Sequence, residues 1–232
     1  MSLPLLQLLD SACPTGAFSH SFGMETAIQE GSIVNSDGLL EWLTVYLQQG
    51  LAMTDGIALS LAYSYADAIL ENTTIWQNIA ALDRRLYISK LARESRDGSV
   101  KIGKRYLDLV LQLYPEIPLQ HYREQIRQHI CTGNSCIVHA FVCVFLKETL
   151  ESTISSYFYT SVNSLVQNAI RSMSLGQTEG QKVLRRMLPV IADTANGIAW
   201  KKPSIDGWHS NHIFQEIASM RHEHLYSRLF MS

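Results

Sequence analysis

Histidines near the end of the sequence are the first residues that could do chemistry, since histidine is a common metal ligand. The segment from His222 to Tyr226 (HEHLY) begins like the zinc-protease motif H-E-x-x-H, but Tyr226 stands where the second histidine ligand must be. His209 and His212, three residues apart, could share a helix face, yet they supply only two ligands. A catalytic zinc site needs three protein ligands and a structural site four. A helical metal-binding enzyme that uses His209, His212 and His222 is therefore kept only as an alternative.

Two other stretches begin like catalytic motifs and then depart from them. From Gly98 to Arg105 (GSVKIGKR) the sequence nearly matches a phosphate-binding P-loop, but Arg105 occupies the position of the serine or threonine that holds Mg²⁺. The stretch from Gly16 to His20 (GAFSH) is not the G-x-S-x-G of a nucleophilic serine. His139 stands alone in an apolar run and is predicted to be a neutral, hydrogen-bonded core histidine. The sequence thus predicts no catalytic residue and no metal site.

The composition narrows the class of protein further. The 232 residues carry a formal net charge of -2, so nucleic acid is not an expected partner. Charged residues make up only 17% of the chain, which fits either a large core or a surface that another subunit covers. The four cysteines form no C-x-x-C pair and are typical of reduced thiols in the cytoplasm. The first ten residues (MSLPLLQLLD) lack the basic segment of a signal peptide.

The elements that must position these residues are organised around the run from Cys136 to Leu146 (CIVHAFVCVFL). Ten of its eleven residues are apolar, so no single helix face could hold them all. A helix that is hydrophobic all round is buried on every side, and the run is too short to cross a bilayer, which takes about 20 apolar residues. A buried strand is the alternative. The helical patterns on both sides favour a central helix.

Helical spacing dominates the rest of the chain. Apolar residues recur every three to four positions from Leu39 to Leu47 and from Ile154 to Met173, and convincing β-alternation is absent. We expect interruptions at Thr54–Gly56 and Asp97–Gly98, and a capping box at Thr74–Gln77 that opens a helix. The prediction is an all-α fold in one domain, residues 1–232, with roughly eight to ten helices packed around the central one.

Two stretches are typical of contact surfaces. Gly176 and Gly180 are one helical turn apart, as are Gln177 and Gln181, and paired glycines suggest the close approach of another backbone. Tight packing within the chain is the alternative. Residues 201–232 are predicted to form a linker, which contains Pro203 and Gly207, and then a C-terminal tail.

The predicted tail is unusually apolar for a chain terminus. It combines Tyr226, Leu229 and Phe230 with Arg221 and Arg228, and tyrosine and arginine are enriched at interface hot spots. The tail could dock on its own domain or on a partner, and the sequence leaves both open.

Three motifs in order carry a resemblance to a known family: PTGAFSHSFGMETA (14–27), LGQTEGQKVL (175–184) and EIASMRHEHLYSRLFMS (216–232). With them the chain resembles the urease accessory protein UreF family over essentially its whole length. One departure is Phe18, where some relatives carry tyrosine, so a hydrogen bond from a hydroxyl at this position is not expected.

The resemblance implies a non-enzymatic, all-helical and dimeric helper in nickel insertion. Proteins of this family bind UreD, also called UreH, and recruit the GTPase UreG. That assembly docks on apo-urease, where the dinuclear nickel centre is completed. The resemblance implies a cytoplasmic protein that binds no cofactor tightly, with nickel handled by the assembled complex.

The residue pattern and the resemblance together lead to a prediction of site residues. In the tail we expect Tyr226 and Arg228 to anchor UreD/UreH, and in the body we expect Phe18, His20 and Glu25 to receive the tail. The full predicted partner-binding set is Phe18, His20, Glu25, Arg221, His222, Glu223, Tyr226, Arg228, Leu229 and Phe230. A second surface, facing the dimer partner or UreG, is predicted at Gly176, Gln177, Gly180 and Gln181.

Overall fold

The computed structural model describes residues 1–68, 75–201 and 208–232. Within these residues the regular structure is helical and contains no strand, which confirms the all-α prediction. The α-helices are α1 (Leu3–Leu9), α2 (Met24–Gln29), α3 (Ser36–Val45), α4 (Ile57–Asp67), α5 (Ile75–Ser89), α6 (Arg93–Leu113), α7 (Gln120–Arg127), α8 (Ser135–Phe145), α9 (Leu150–Ser172), α10 (Gln177–Lys201) and α11 (Ile213–Arg221).

Helix α8 is the predicted central helix. Its residues from Cys136 to Cys143 are all buried, because α4, α6 and α9 pack against different sides of it. Each buried apolar side chain of this kind contributes about 1.5–3 kcal/mol relative to an exposed one, so the apolar run drives the assembly of the bundle.

The loop that leads into α8 is held by one buried carboxylate. Asp83 of α5 accepts hydrogen bonds from the backbone N–H groups of Thr132, Gly133 and Asn134, and from the Asn134 side-chain amide. The Tyr122 hydroxyl donates to the same carboxylate at 3.1 Å. Backbone dipoles and neutral donors thus satisfy the charge of Asp83, and they fix where the central helix begins.

The predicted interruption at Thr54–Gly56 is wrong. A π-helical segment, Tyr46–Gly56, joins α3 to α4 without a break. Gly56 is required there by packing, since a Cβ atom would lie 2.8 Å from both Ile198 and Phe158. Asp55 is buried, and Lys90 donates to its carboxylate at 2.6 Å. Long-range partners therefore override residues that locally favour a turn.

The predicted turn at Asp97–Gly98 is also wrong, because both residues lie inside α6. Gly98 allows close packing instead, since a Cβ atom there would lie 2.6 Å from Nδ1 of His20. The helix ends at Leu113, immediately before the region of Pro115. Helix α6 is consequently long enough to reach from the central helix to α11.

Two further predictions fall on residues that the structure leaves undescribed. Thr74, the first residue of the predicted capping box, lies outside the described residues, as does most of the predicted linker with Pro203 and Gly207. None of the helices in the described ranges is both long and apolar enough to cross a membrane.

Candidate functional site

The C-terminal tail, defined as residues 222–232, lies against the body of the same chain. Helix α11, which precedes it, packs on α2 and α6. Gly23 makes this approach possible, because it adopts a φ of 86° and a Cβ atom there would lie 2.7 Å from the backbone nitrogen of Ser219. The residues around Gly23 thus form the surface on which α11 and the tail pack.

Backbone hydrogen bonds join the end of the tail to the segment before α2. The Met231 N–H donates to the Ser19 carbonyl at 2.7 Å, and the Ser232 backbone oxygen accepts from the N–H of Ser21 at 2.6 Å and from that of Phe22 at 3.1 Å. The Ser21 hydroxyl donates to the same oxygen. These bonds fix the course of the tail independently of its side chains.

Glu25 is the main side-chain anchor of the tail. Its carboxylate is 2% exposed and accepts hydrogen bonds from the backbone N–H groups of Leu229 at 2.7 Å and Phe230 at 3.2 Å. The Nε2 atom of His222 lies 2.9 Å from the same carboxylate. On the other side of the His222 ring, Nδ1 lies 2.6 Å from Glu94 of α6. Arg228 also donates to Glu94, at 2.9 Å.

Arg171 of α9 connects the tail to the turn at Phe18. Its guanidinium donates to the Phe18 carbonyl oxygen and lies 4.9 Å from the centre of the Phe230 ring. Next to it, Asn168 donates to the His20 carbonyl at 2.7 Å. Cation–π contacts of this kind stabilise a buried ring, so α9 holds both the turn and the tail.

His20 lies beneath this turn as a neutral residue. Its burial, together with the positive charges of Lys101 and Arg105, lowers the pKa of His20 from 6.5 to about 4. Its Nδ1 atom lies 2.9 Å from the hydroxyl of Ser232. His20 therefore supports the end of the tail by hydrogen bonding and not by charge.

The structure divides the predicted partner-binding residues into two groups. His20, Glu25, His222 and Phe230 are buried inside the chain and act by holding the tail. Phe18, Tyr226 and Leu229 are exposed, the tyrosine fully. The charged residues lie between these groups and form ion pairs, namely Arg221 with Glu30, Glu223 with Arg93, and Arg228 with Glu94.

Helix α11 carries an exposed apolar face that the sequence analysis did not assign. Ile213, Phe214, Ile217 and Met220 follow helical spacing, and the Phe214 side chain is 84% exposed. The sequence shows this apolar stripe once a helix is predicted to begin a few residues before Glu216. Glu94 and Arg171, in contrast, act through contacts with the distant tail and leave no local signal.

The two predicted glycines occupy different environments. Gly180 is buried against Ile170 and Val166 of α9, so packing within the chain accounts for it. Gly176 has no atom within 4 Å of its Cβ position, and Gln177 and Gln181 are exposed. The start of α10 is thus an open surface except at Gly180.

The histidines of the metal-binding alternative do not come together. His212 pairs with Glu216 at 3.3 Å, and each ring nitrogen of His222 faces a separate carboxylate. Among the described residues, no three histidine, cysteine or carboxylate side chains are grouped so that they could hold a metal ion.

The buried His139 is engaged by hydroxyl groups of the core. His139 contacts the Tyr106 hydroxyl at 3.2 Å and the Ser156 hydroxyl at 2.9 Å, and burial lowers its pKa from 6.5 to about 4. The prediction of a neutral core histidine is confirmed. A cavity of about 190 Å³ lies beside it, and the Asp55–Lys90 pair forms part of the cavity wall.

The structure is thus an all-helical body that holds its own C-terminal tail and turns apolar side chains of α11 and the tail outward. Comparison with known proteins identifies the family. The family model described as UreF matches residues 33–188. The chain is 43% identical to the urease accessory protein UreF of Lachnoclostridium phytofermentans, covering 99% of this chain and 98% of the relative. It is 39% identical to that of Bacillus sp. (strain TB-90), with the same coverage. The chain belongs to the UreF family of urease accessory proteins, which confirms that it is not an enzyme.

Proposed function

We propose that this chain is a non-catalytic scaffold in the maturation of urease. In this proposal it binds UreD/UreH, recruits the GTPase UreG and brings both to apo-urease as a homodimer in the cytoplasm. Nickel is carried by the assembled complex, and the isolated chain binds no cofactor tightly. Family membership supports the role in urease maturation, and the surface of the tail supports the mode of binding.

The observation that carries the proposal is a tail with a fixed backbone and outward side chains. Glu25 and the segment before α2 hold the tail backbone, while Tyr226 is fully exposed and Leu229 is 67% exposed. Ordering one side chain at an interface costs about 0.5–1.5 kcal/mol, and a preformed backbone removes part of the total cost. The tail is therefore arranged in advance for contact with a partner.

The exposed face of α11 extends this surface. Phe214, Ile217 and Met220 present apolar atoms to solvent on the helix that leads directly into the tail. Contiguous exposed apolar surface commonly marks an interaction site. We propose that UreD/UreH covers α11 together with the exposed side chains of the tail.

A second proposed surface is the start of α10. Gly176, Gln177 and Gln181 are exposed there, and glutamine side chains can bridge polar groups across an interface. We assign this surface to the dimer partner or to UreG. Gly180 contributes indirectly, because it lets α10 pack closely on α9.

Co-expression with UreD/UreH and UreG tests the proposal. The variant combines Tyr226→Ala and Leu229→Ala, two exposed residues whose loss leaves the anchors of the tail intact. The matched control is Leu188→Ala, which removes a 46% exposed leucine from α10. Truncation of a hot-spot residue costs about 2 kcal/mol, or roughly 30-fold in affinity.

Light scattering of the purified material gives the result. We expect the wild type and the control to elute as a complex with UreD/UreH, and the double variant to elute largely without it. A double variant that binds as tightly as the control would place the interface elsewhere on the body.

A further inference from the structure

His222 is the one histidine of the tail that is completely buried, at 0% exposure of its side chain. Its Nδ1 atom lies 2.6 Å from Oε2 of Glu94, and its Nε2 atom lies 2.9 Å from Oε2 of Glu25. The two carboxylates come from different helices, α6 and α2, so the ring bridges two parts of the body. Both distances are those of charge-assisted hydrogen bonds.

The protonation state of the ring follows from its partners. An ionised carboxylate only accepts hydrogen bonds, and a neutral imidazole has one N–H and one lone pair. A neutral His222 would therefore direct a lone pair at one of the two carboxylates. Only the imidazolium form donates to both. We propose that His222 acts as a proton-dependent clamp, which holds the tail on the body when protonated and releases it when deprotonated.

The other charges around the ring agree with this assignment. Arg228 donates to Oε1 of Glu94, the carboxylate oxygen that does not face His222. The Leu229 N–H donates to the corresponding Oε1 of Glu25. Two carboxylates thus face two cations, Arg228 and protonated His222, and the cluster is neutral. Loss of the His222 proton leaves one uncompensated negative charge, which is costly in a buried site.

The other charged groups described near the His222 ring do not compensate for the loss of its proton. His20 is neutral at physiological pH, as described above, and the positive charges of Lys101 and Arg105 near it lie on the side of α6. The surface pairs Arg93–Glu223 and Arg221–Glu30 are already internally balanced. His222 is consequently the group that sets the charge of the cluster between pH 5 and 8.

The direction of the pH effect follows from the proton balance. A histidine in a released tail loses its proton around pH 6.5, so docking above this pH takes up a proton. The contribution of His222 to docking is complete below about pH 6.5 and is lost as the pH rises beyond it. The clamp would therefore regulate the fraction of molecules in which the tail is docked and its binding surface is preformed. This consequence rests on the proposed partner-binding role, whereas the clamp itself is a property of the isolated chain.

Nitrogen NMR of the histidine rings in the isolated full chain tests the protonation state. At pH 7.0 we expect both ring nitrogens of His222 to carry protons. A single protonated nitrogen on His222, with the Leu229 and Phe230 amides still protected from exchange, would overturn the proposal.

Hydrogen exchange between pH 6 and 9 tests the coupling. After correction for intrinsic rates, we expect protection of the Leu229 and Phe230 amides to fall with rising pH in the wild type and in the control variant His224→Gln. In His222→Gln the protection should be lower and independent of pH. Identical pH profiles in His222→Gln and the wild type would contradict the clamp.

Glu94→Gln gives a second variant that retains His222. A glutamine amide can accept from the ring or donate to it, so both forms of the histidine are tolerated and the pH profile should become flatter. An unchanged slope would contradict the proposal. Because both experiments use the isolated chain, their failure leaves the partner-binding proposal standing, and failure to bind UreD/UreH leaves the clamp standing.

Discussion

At the scale of single residues, Glu25 shows how one carboxylate gives the tail its position. It lies in the first turn of α2, and it satisfies two tail N–H groups and one histidine nitrogen. The sequence marks Glu25 only as a member of a motif. Its partners lie about 200 positions away in the chain, and no local pattern of residues predicts them.

Replacement of Glu25 by alanine tests this role. Each buried donor left without a partner costs about 1–3 kcal/mol. The total loss of stability is smaller than the sum, because a released tail exposes its donors to water. We expect Glu25→Ala to lower the free energy of unfolding by about 1–3 kcal/mol and to expose Arg228 to trypsin.

The matched control for this change is Glu30→Ala, which removes a surface carboxylate paired with Arg221. Surface ion pairs contribute about 0–1 kcal/mol, so its unfolding curve in urea should stay close to that of the wild type. Equal effects of the two changes would mean that Glu25 is not the anchor of the tail.

At the scale of elements, glycines decide where helices can approach. Gly103 of α6 faces the loop before α8, where a Cβ atom would fall on the Gly133 carbonyl oxygen and lie 2.6 Å from the Ser135 nitrogen. Backbone atoms cannot move aside as a flexible side chain can. Gly197 of α10 has no such neighbour within 4 Å.

The same substitution at these two glycines should therefore have opposite effects. We expect Gly103→Ala to destabilise the protein by about 1–3 kcal/mol through overpacking. Gly197→Ala should stabilise it by about 0.5–1 kcal/mol, because alanine reduces the entropy of the unfolded helix segment. Urea unfolding followed by circular dichroism measures both, and a harmless Gly103→Ala would contradict the close contact between α6 and the loop.

The elements also show what the sequence could predict. The apolar run of α8 and the stripe of α9 identify helices because burial imposes a repeat on nearby residues. Gly56 and Gly98 lead to wrong predictions of turns, because glycine favours turns locally. The side chains that require these glycines, among them Ile198 and His20, are far away in the chain. The same non-locality hides Glu94 and Arg171 from sequence reasoning.

At the scale of the whole molecule, two buried histidines make the stability of the fold depend on pH in the same direction. His139 is neutral in the core, with a pKa lowered from 6.5 to about 4 by burial, so its contribution to stability is complete above pH 6.5 and is lost as the pH falls to 4. His20, whose pKa is also lowered from 6.5 to about 4, acts in the same direction. Both sites therefore lose stability as the pH falls below 6.5.

Unfolding at several pH values tests the contribution of the core. A pKa difference of about 2.5, at about 1.4 kcal/mol per pH unit, predicts a loss of up to about 3 kcal/mol between pH 6.5 and 4. His139→Gln should make this part of the profile flatter, since glutamine does not titrate. A variant profile as steep as that of the wild type would assign the acid sensitivity to other groups.

We propose that α11 and the tail form the surface that binds UreD/UreH. The most direct test is hydrogen exchange of the full-length chain, alone and in complex with UreD/UreH. We predict that exchange slows on binding within residues 213–232 and that the change is largest around Tyr226 and Leu229, the most exposed positions of the tail. Unchanged exchange in this segment, with slowing confined to α7 or to the start of α10, would contradict the claim.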